Sequence, residues 1–523
     1  MRDKNKSNQK TNKEMKLEID HLNRQIPPEA HTPMYNFHKY WSRKTWNVVG
    51  KFIETYCPEN GIVYDPFGGS GVTAMEALKL GRRVIISDLN PIATEITRLT
   101  IKPVSESKLK EAFKRIENKI RNKIDSLYLT ECRSCGKEIP FTCSIWEGDK
   151  CVEIRYQNCP QCGDTRRADC SLTKKDKDLI KKINSSKIRE WYPNNKLYYP
   201  DGSPFKEKQQ YNSIDELFTK RNLQALAILM EVIEEEPHKD LRDFLKIGFS
   251  SVCHLCSRLL AEGSPGYRPF SGVGWNQQSY WYTPRYMESN VWEKFDGAIN
   301  GHQGLLNAKA ESNEYFKDIK IGSSFEQVLS GKSDIFIYNG DCLELMNKMY
   351  KKYGENGWID YIFTDPPYDS SIQYGELSFL WVAWLKLNND YLETVISKEI
   401  IHNEKQKKDF TVYTSLIQNS FKGMFSVLKP DKYLTLTFHN PTFKVRNATI
   451  RTGVLAGFEL QKIHHQELAR PSAKSLLQPF GSAQGDFYLR FYKPDLGEEG
   501  FKPEVIDEIR FEKIVVATTT KIL

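Results

Sequence analysis

Four consecutive residues, Asp365-Pro366-Pro367-Tyr368, combine a carboxylate, a stiffened backbone and an aromatic ring. Two prolines in a row bar helical continuation and restrict the residues before them. The Asp365 carboxylate and the Pro366 carbonyl are both acceptors, so together they suit one NH2 group, while Tyr368 offers a face for stacking on a planar ring. A second group is the turn Asp65-Pro66-Phe67-Gly68-Gly69-Ser70-Gly71. Its glycines let a ligand approach the backbone closely, and a helix beginning after it would present unpaired N–H groups. Asp88 follows 17 residues after Gly71, where an acid at a strand end can accept hydrogen bonds from a ribose diol. No Gly-Lys-Ser/Thr follows the turn, which argues against a phosphate-binding loop.

The third group is built of cysteines. The chain has 11, an odd number without the apolar leader of a secreted protein, which points to a reducing compartment rather than a disulfide framework. Cys132, Cys135, Cys159 and Cys162 form two C-x2-C knuckles, each followed by glycine (Gly136, Gly163), and this is close to zinc-ribbon spacing. Cys143, Cys151 and Cys170 lack such pairing. Cys253 and Cys256 fall in an apolar helical stretch and read as core residues. No cysteine follows a proline.

These groups need strands to aim them. Residues 61–67 form a short apolar run before the glycine turn, 72–80 read as a helix and 82–89 as a second strand, which makes a β-α-β unit. The same pattern resumes at 334–338, with a helix over 343–353 and a strand over 358–364 that delivers Asp365. Further strands are expected at 433–438 and 487–492. The fold class is therefore α/β, a doubly wound, mostly parallel sheet interrupted by a large insertion. We divide the chain into a disordered tail (1–25), a cofactor half (26–103), and an insertion of helix, cysteine knuckles and basic residues (104–212). A helical, aromatic-rich region (213–330), a catalytic half (331–494) and a C-terminal extension (495–523) follow.

At 523 residues there is ample length for a core, and 39% hydrophobic with 27% charged residues describes a soluble globular protein. No apolar run approaches the roughly 20 residues needed to cross a bilayer, so a cytoplasmic location is expected. The formal net charge of +8 permits a polyanionic partner. Between Asp164 and Lys208, 12 basic residues face 7 acidic ones, with Trp191, Tyr192, Tyr198 and Tyr199 interleaved. That stretch could contact phosphates or be a solvated face. The aromatic run at 272–292 could stack bases but suits core packing better. Tyr40, Trp41 and their neighbours His38 and Lys39 could close over a ligand or simply pack. His402, His439, His464 and His465 show no ligand spacing.

The stretches DPFGGSG (65–71), DLNP (88–91), NGDCLELM (339–346) and FTDPPYDSSIQYGELSFLWVAWLKL (363–387), with HKYWSRKTW (38–46) ahead of them, resemble the S-adenosylmethionine-dependent DNA amino-methyltransferases. These form N6-methyladenine or N4-methylcytosine. The resemblance implies a class I Rossmann-like methyltransferase fold. It implies that Asp65, Phe67, Gly69 and Gly71 line the cofactor, Asp88 holds its ribose and Asp341 contacts its adenine. Asp365, Pro366, Pro367 and Tyr368 would bind the target base of double-stranded DNA. It also implies target recognition by the insertion and service in restriction–modification or another defence system, with cognate partner proteins. An Asp in the first position of the tetrapeptide leans toward adenine. RNA amino-methylation and a non-catalytic, zinc-containing nucleic-acid-binding role are the alternatives. Cytosine C5 methylation is disfavoured, because those enzymes carry a nucleophilic cysteine after a proline.

Overall fold

A computed structural model describes residues 22, 24–273, 275, 279–281, 283–354, 357–440, 442–467 and 485–495. Residues 1–21 and 23 of the expected tail and all but Asp495 of the C-terminal extension lie outside the described residues. The centre is an eight-stranded sheet in the order β12-β13-β11-β10-β1-β2-β9-β8. Its strands are β1 (Ile62–Asp65), β2 (Arg83–Asp88), β8 (Ile321–Gly322), β9 (Ile335–Asn339), β10 (Ile359–Thr364), β11 (Leu428–Phe438), β12 (Glu459–Gln466) and β13 (Asp486–Lys493). All neighbours pair in parallel except at β13, which runs antiparallel to β11 and β12.

The central strands are apolar on both faces, as a sheet covered on both sides requires. Alternate residues of β1 point to opposite layers. Val63 packs with α1 (Trp46–Tyr56) and α2 (Val72–Lys79) through Phe52 and Met75. Ile62 and Tyr64 pack with α10 (Cys342–Tyr353) and α12 (Phe410–Val427) through Met346 and Phe421. The result is a mixed α/β architecture with a large, mostly parallel sheet, compatible with a Rossmann-like fold.

Between β2 and β9 the chain leaves the sheet. After α3 (Pro91–Ile101) come α4 (Glu106–Asp125), α5 (Lys174–Ser185), α6 (Lys220–Glu234), α7 (Lys239–Cys253), α8 (Val291–Asn300) and α9 (Leu305–Phe316). Two small sheets accompany them. One pairs β3 (Leu129–Glu131) with β4 (Glu138–Pro140), and the other orders β6 (Lys150–Arg155), β5 (Cys143–Glu147) and β7 (Arg285–Ser289) as β6-β5-β7. The helix expected at the start of the insertion is α4, whose Leu109, Phe113, Ile116 and Ile120 form the buried stripe. The core of this insertion is continuous with the catalytic half. It takes in Ile92 and Ile96 of α3 together with Trp381 and Trp384 of α11 (Tyr374–Leu385). Gly375 through Leu385 are all buried, the property of a helix surrounded on every side.

Helix α5 and strand β12 are among the elements not foreseen. Helix α5 occupies the basic stretch and starts with a reciprocal capping box between Thr173 and Asp176. Strand β12 reads as polar in sequence because it lies at the sheet edge with half its side chains outward. Among the described residues no helix is long and apolar enough to cross a membrane.

One lysine fastens the insertion to the cofactor half. Lys309 of α9 is buried, and its Nζ donates to the carbonyls of Leu99 (3.1 Å), Thr100 (2.8 Å) and Lys102 (2.8 Å) at the end of α3. These are the carbonyls a helix C-terminus leaves unpaired. Lys309→Met keeps the stem but strands them, and we expect a loss of about 1–3 kcal/mol, seen as a lower Tm in thermal denaturation.

Candidate active site

The chain runs from β1 outward to β2 and returns on the other side of β1 as β10, so the order of the sheet reverses between β1 and β10. Crevices at the carboxyl ends of strands beside such a reversal are where open α/β sheets bind ligands. Asp65 ends β1 and Asp365 follows β10, and both line one cavity there. Phe67, Gly69, Asp88 and Asp341 line it too. With Pro367, seven of the residues singled out in the sequence line this single space. Gly71, Pro366 and Tyr368 stand next to it rather than in its wall.

The glycine turn is held from inside. Gly68 N–H donates to Ser87 O (2.9 Å) and Gly69 N–H to Asp88 Oδ2 (2.8 Å), while Asn90 N–H donates to Asp88 Oδ1 (2.8 Å). Asp88 therefore pins the turn while facing the cavity. Asp65 Oδ1 accepts from Thr364 Oγ1 (2.7 Å) and from Phe67 N–H (3.1 Å), which locks the ends of β1 and β10 together. Burial pushes both carboxyls up to about 6, against the opposing hydrogen bonds. Gly71 has φ +84° and caps α2, and a Cβ there would meet Thr97 Oγ1 at 2.5 Å. Its glycine serves helix packing.

Around Asp365 the structure shows a network that the sequence did not reveal. Thr437 Oγ1 donates to Asp365 Oδ1 (2.6 Å), and Lys44 Nζ lies 3.2 Å from the same oxygen. Lys44 Nζ also reaches Asp486 Oδ2 at 3.1 Å, and His439 Nδ1 sits 3.1 Å from Asp486 Oδ1. Burial pushes the Asp365 carboxyl up to about 6, against Lys44 and Thr437. Burial would also raise Asp486, but Lys44 and His439 outweigh it and hold it below the usual range. Lys44 stands in the quoted segment 38–46, but its partners come from the far end of the sheet, beyond the reach of local spacing. His439, which carried no assignment, is the outer member of this chain of charges.

The Tyr368 ring is buried rather than open. It packs edge-on against Phe438 (centroids 5.3 Å apart) and has Lys44 Nζ 5.5 Å from its centroid, so stacking on it requires Lys44 to give way. The Pro367 carbonyl accepts from Tyr413 Oη (2.9 Å), which fixes the loop onto α12. Tyr40 and Trp41 line the cavity, and Tyr40 stacks on Tyr374 at 6.2 Å. His38 instead turns into the core, with its Nε2 2.9 Å from Ser250 Oγ. Glu399 is a further cavity residue that the sequence reading missed. Its Oε1 accepts from Gly375 N–H (3.0 Å), but its Oε2 is buried without a hydrogen-bond partner, and burial pushes the carboxyl up to about 8.

The four knuckle cysteines converge, with every Sγ within 4.8 Å of the others. Cys132 and Cys162 are 3.5 Å apart and Cys135 and Cys159 are 3.7 Å apart. Gly136 and Gly163, both at φ +73°, return N–H bonds to Cys132 O and Cys159 O, which makes each knuckle a tight turn. Among the described residues no other such cluster occurs. Cys253 and Cys256 are buried in the core, and so are Trp275 and Trp292 of the aromatic run. Tyr280 Oη donates to Glu376 O, which ties that run to α11.

The turn also leaves no room for a side chain at Gly68, where a Cβ would stand 2.2 Å from Ile86 Cγ1. Gly68→Ala should cost about 1–3 kcal/mol, whereas Gly297→Ala, with nothing within 4 Å inside α8, should gain about 1 kcal/mol. Denaturant titration of the two variants reads both changes.

Comparison with known proteins agrees with this arrangement. Residues 1–98 match the N6/N4 methyltransferase family model, described as "DNA methylase". Over 90 residues, 17% of the chain, there is 32% identity to "Type II methyltransferase M.MvaI" of Kocuria varians. The chain spans only 20% of that relative's length. A solved structure titled "Crystal Structure of PH0851" aligns over 38% of this chain and 41% of its own, at 15% identity and a TM-score of 0.17, too low to add to the fold described above. The segment matched by the family model is the one that carries Lys44, Asp65 and Asp88.

Proposed function

We propose that this protein transfers a methyl group from S-adenosylmethionine to the exocyclic amine of a base in double-stranded DNA, N6 of adenine being the favoured target. The observation that carries the reading is one cavity at the sheet's reversal point, lined both by the Asp65–Gly69 turn with Asp88 and by Asp365. The residues suit the cofactor. Gly69 brings bare backbone to the cavity, Asp88 offers acceptors for a diol, and Glu399 Oε2 is buried in the cavity wall without a hydrogen-bond partner. When bound, S-adenosylmethionine supplies an electrophilic methyl group.

The target base leaves the stack to enter the cavity. Lys44 and Thr437 already occupy Asp365 Oδ1, which leaves Oδ2 free to accept from the amine, with the Pro366 carbonyl as second acceptor. These bonds draw the nitrogen toward tetrahedral geometry and direct its lone pair. Asp365 would then take the proton the amine loses as the nitrogen–methyl bond forms and the bond between that methyl group and the cofactor's sulfonium sulfur breaks, the sulfur leaving as a neutral thioether. Fixed positioning and electrostatics supply the acceleration, and no enzyme–base bond is needed. The preference for adenine rests on the aspartate that begins the tetrapeptide. Service in a restriction–modification or other defence system is supported by the name of the type II relative.

Asp365→Asn should lower methyl transfer by about 100-fold or more while cofactor affinity, read by calorimetry, stays within a few-fold. Asp365 must be ionised to accept, so the wild-type rate should fall as pH drops through about 6. Lys44→Met removes the charge that favours ionisation, so that acid limb should move to higher pH. An unmoved limb would count against Asp365 as the acceptor.

We propose that Cys132, Cys135, Cys159 and Cys162 hold a structural zinc ion. Four thiolates at a Zn–S distance of about 2.3 Å in a tetrahedron stand about 3.8 Å apart, and the two contacts of 3.5 and 3.7 Å fit that edge. Metal analysis should find about one zinc per chain, lost in Cys132→Ser together with stability of the β3–β4 region. A folded, metal-free wild-type protein would refute the site.

A further inference from the structure

A second cavity, of about 530 Å³, opens between the 36–43 segment, the end of α7 with the turn after it, and α8. Tyr40 and Arg43 belong to its wall and to that of the cofactor cavity. Its charged lining is Lys39, Arg43 and Lys294 against a single carboxylate, Glu293. Among the described residues none of the three cations has an ion pair within 4 Å. Arg43 donates to Ser70 Oγ (3.1 Å) and to the His38 carbonyl (2.8 Å), and Lys294 to the Phe270 carbonyl (3.3 Å). These are neutral partners. His254 also lines the cavity, is only 6% exposed, and has a buried Nδ1 without a hydrogen-bond partner.

Such an arrangement is costly as it stands. Burial depresses the Lys39 pKa, and the facing Arg43 charge depresses it further. Burial likewise drives His254 well below the ordinary histidine range, with Lys39 and His38 adding to it. Three cations held together in a recess with one carboxylate, Glu293, among them are relieved by an anion with several acceptor oxygens. A guanidinium and two ammonium groups match a phosphate group better than a planar carboxylate of single charge.

We propose that this second cavity is a phosphate-binding site formed by Lys39, Arg43, Lys294 and His254. The phosphate has two possible sources, a phosphodiester of the nucleic-acid substrate or a free phosphate or nucleotide. Only the first source rests on the function proposed above.

The test uses the full chain with Lys39→Gln and, as an independent variant from another element, Lys294→Gln. Calorimetric titration with inorganic phosphate should show affinity about tenfold weaker in each variant, the equivalent of one charge-assisted hydrogen bond. Binding of a duplex oligonucleotide across a salt series gives the slope of log K against log salt. Loss of one phosphodiester contact should reduce that slope by about 0.9. A reduced slope identifies the source as the nucleic acid, and weakened phosphate binding with an unchanged slope identifies it as a free phosphate. Variants that both match wild type in phosphate affinity and in slope overturn the site. Methylation by the wild-type protein, measured alongside, shows whether the proposed function itself stands, whichever way the site is decided.

Discussion

A single buried ammonium joins three pieces of chain that are remote in sequence. Lys44 comes from the segment ahead of the first strand, Asp365 follows β10, and Asp486 opens β13. Removing these charges from water is expensive, and breaking such a buried group by deleting one member is more so. The arrangement holds because each charge has more than one partner. Thr437 bonds Asp365, His439 bonds Asp486, and Lys44 bridges the two carboxylates. The sheet has to bring β10, β11 and β13 side by side for this to happen, and it does so in that order.

The consequence is a carboxylate with a division of labour between its oxygens. Oδ1 of Asp365 is committed to Thr437 and Lys44, and among the described residues no hydrogen bond is made to Oδ2. A similar logic governs the cofactor turn, where Asp88 pins Gly69 and Asn90 through backbone N–H groups while facing the cavity. Asp65 connects the two halves through Thr364. Asp65, Asp88 and Asp365 thus share one recess, each raised by burial toward neutrality and each restrained by specific donors.

How much of this was legible beforehand follows from the range of the interactions. The strands carrying Asp65, Asp88 and Asp365 stand out because a sheet covered on both faces needs continuous apolar runs, and the turn residues after them are local signals. The knuckle cysteines are legible for the same reason, their geometry being set within four residues. Lys44, Asp486 and His439 were not, since their meaning depends on strand neighbours more than 400 residues apart in the case of Lys44 and Asp486. Strand β12 escaped notice because an edge strand has a polar outer face, and Glu399 because nothing in its local sequence announces a cavity. Tyr368 shows the reverse case, a residue singled out in the sequence whose environment, beneath Lys44, only the fold discloses.

The most direct measurement is nucleoside analysis by mass spectrometry after the purified protein has been incubated with labelled S-adenosylmethionine and duplex DNA. The account predicts label in N6-methyladenine, dependent on Asp365. Label in 5-methylcytosine, or none in any exocyclic amine of the nucleic acid, would contradict it.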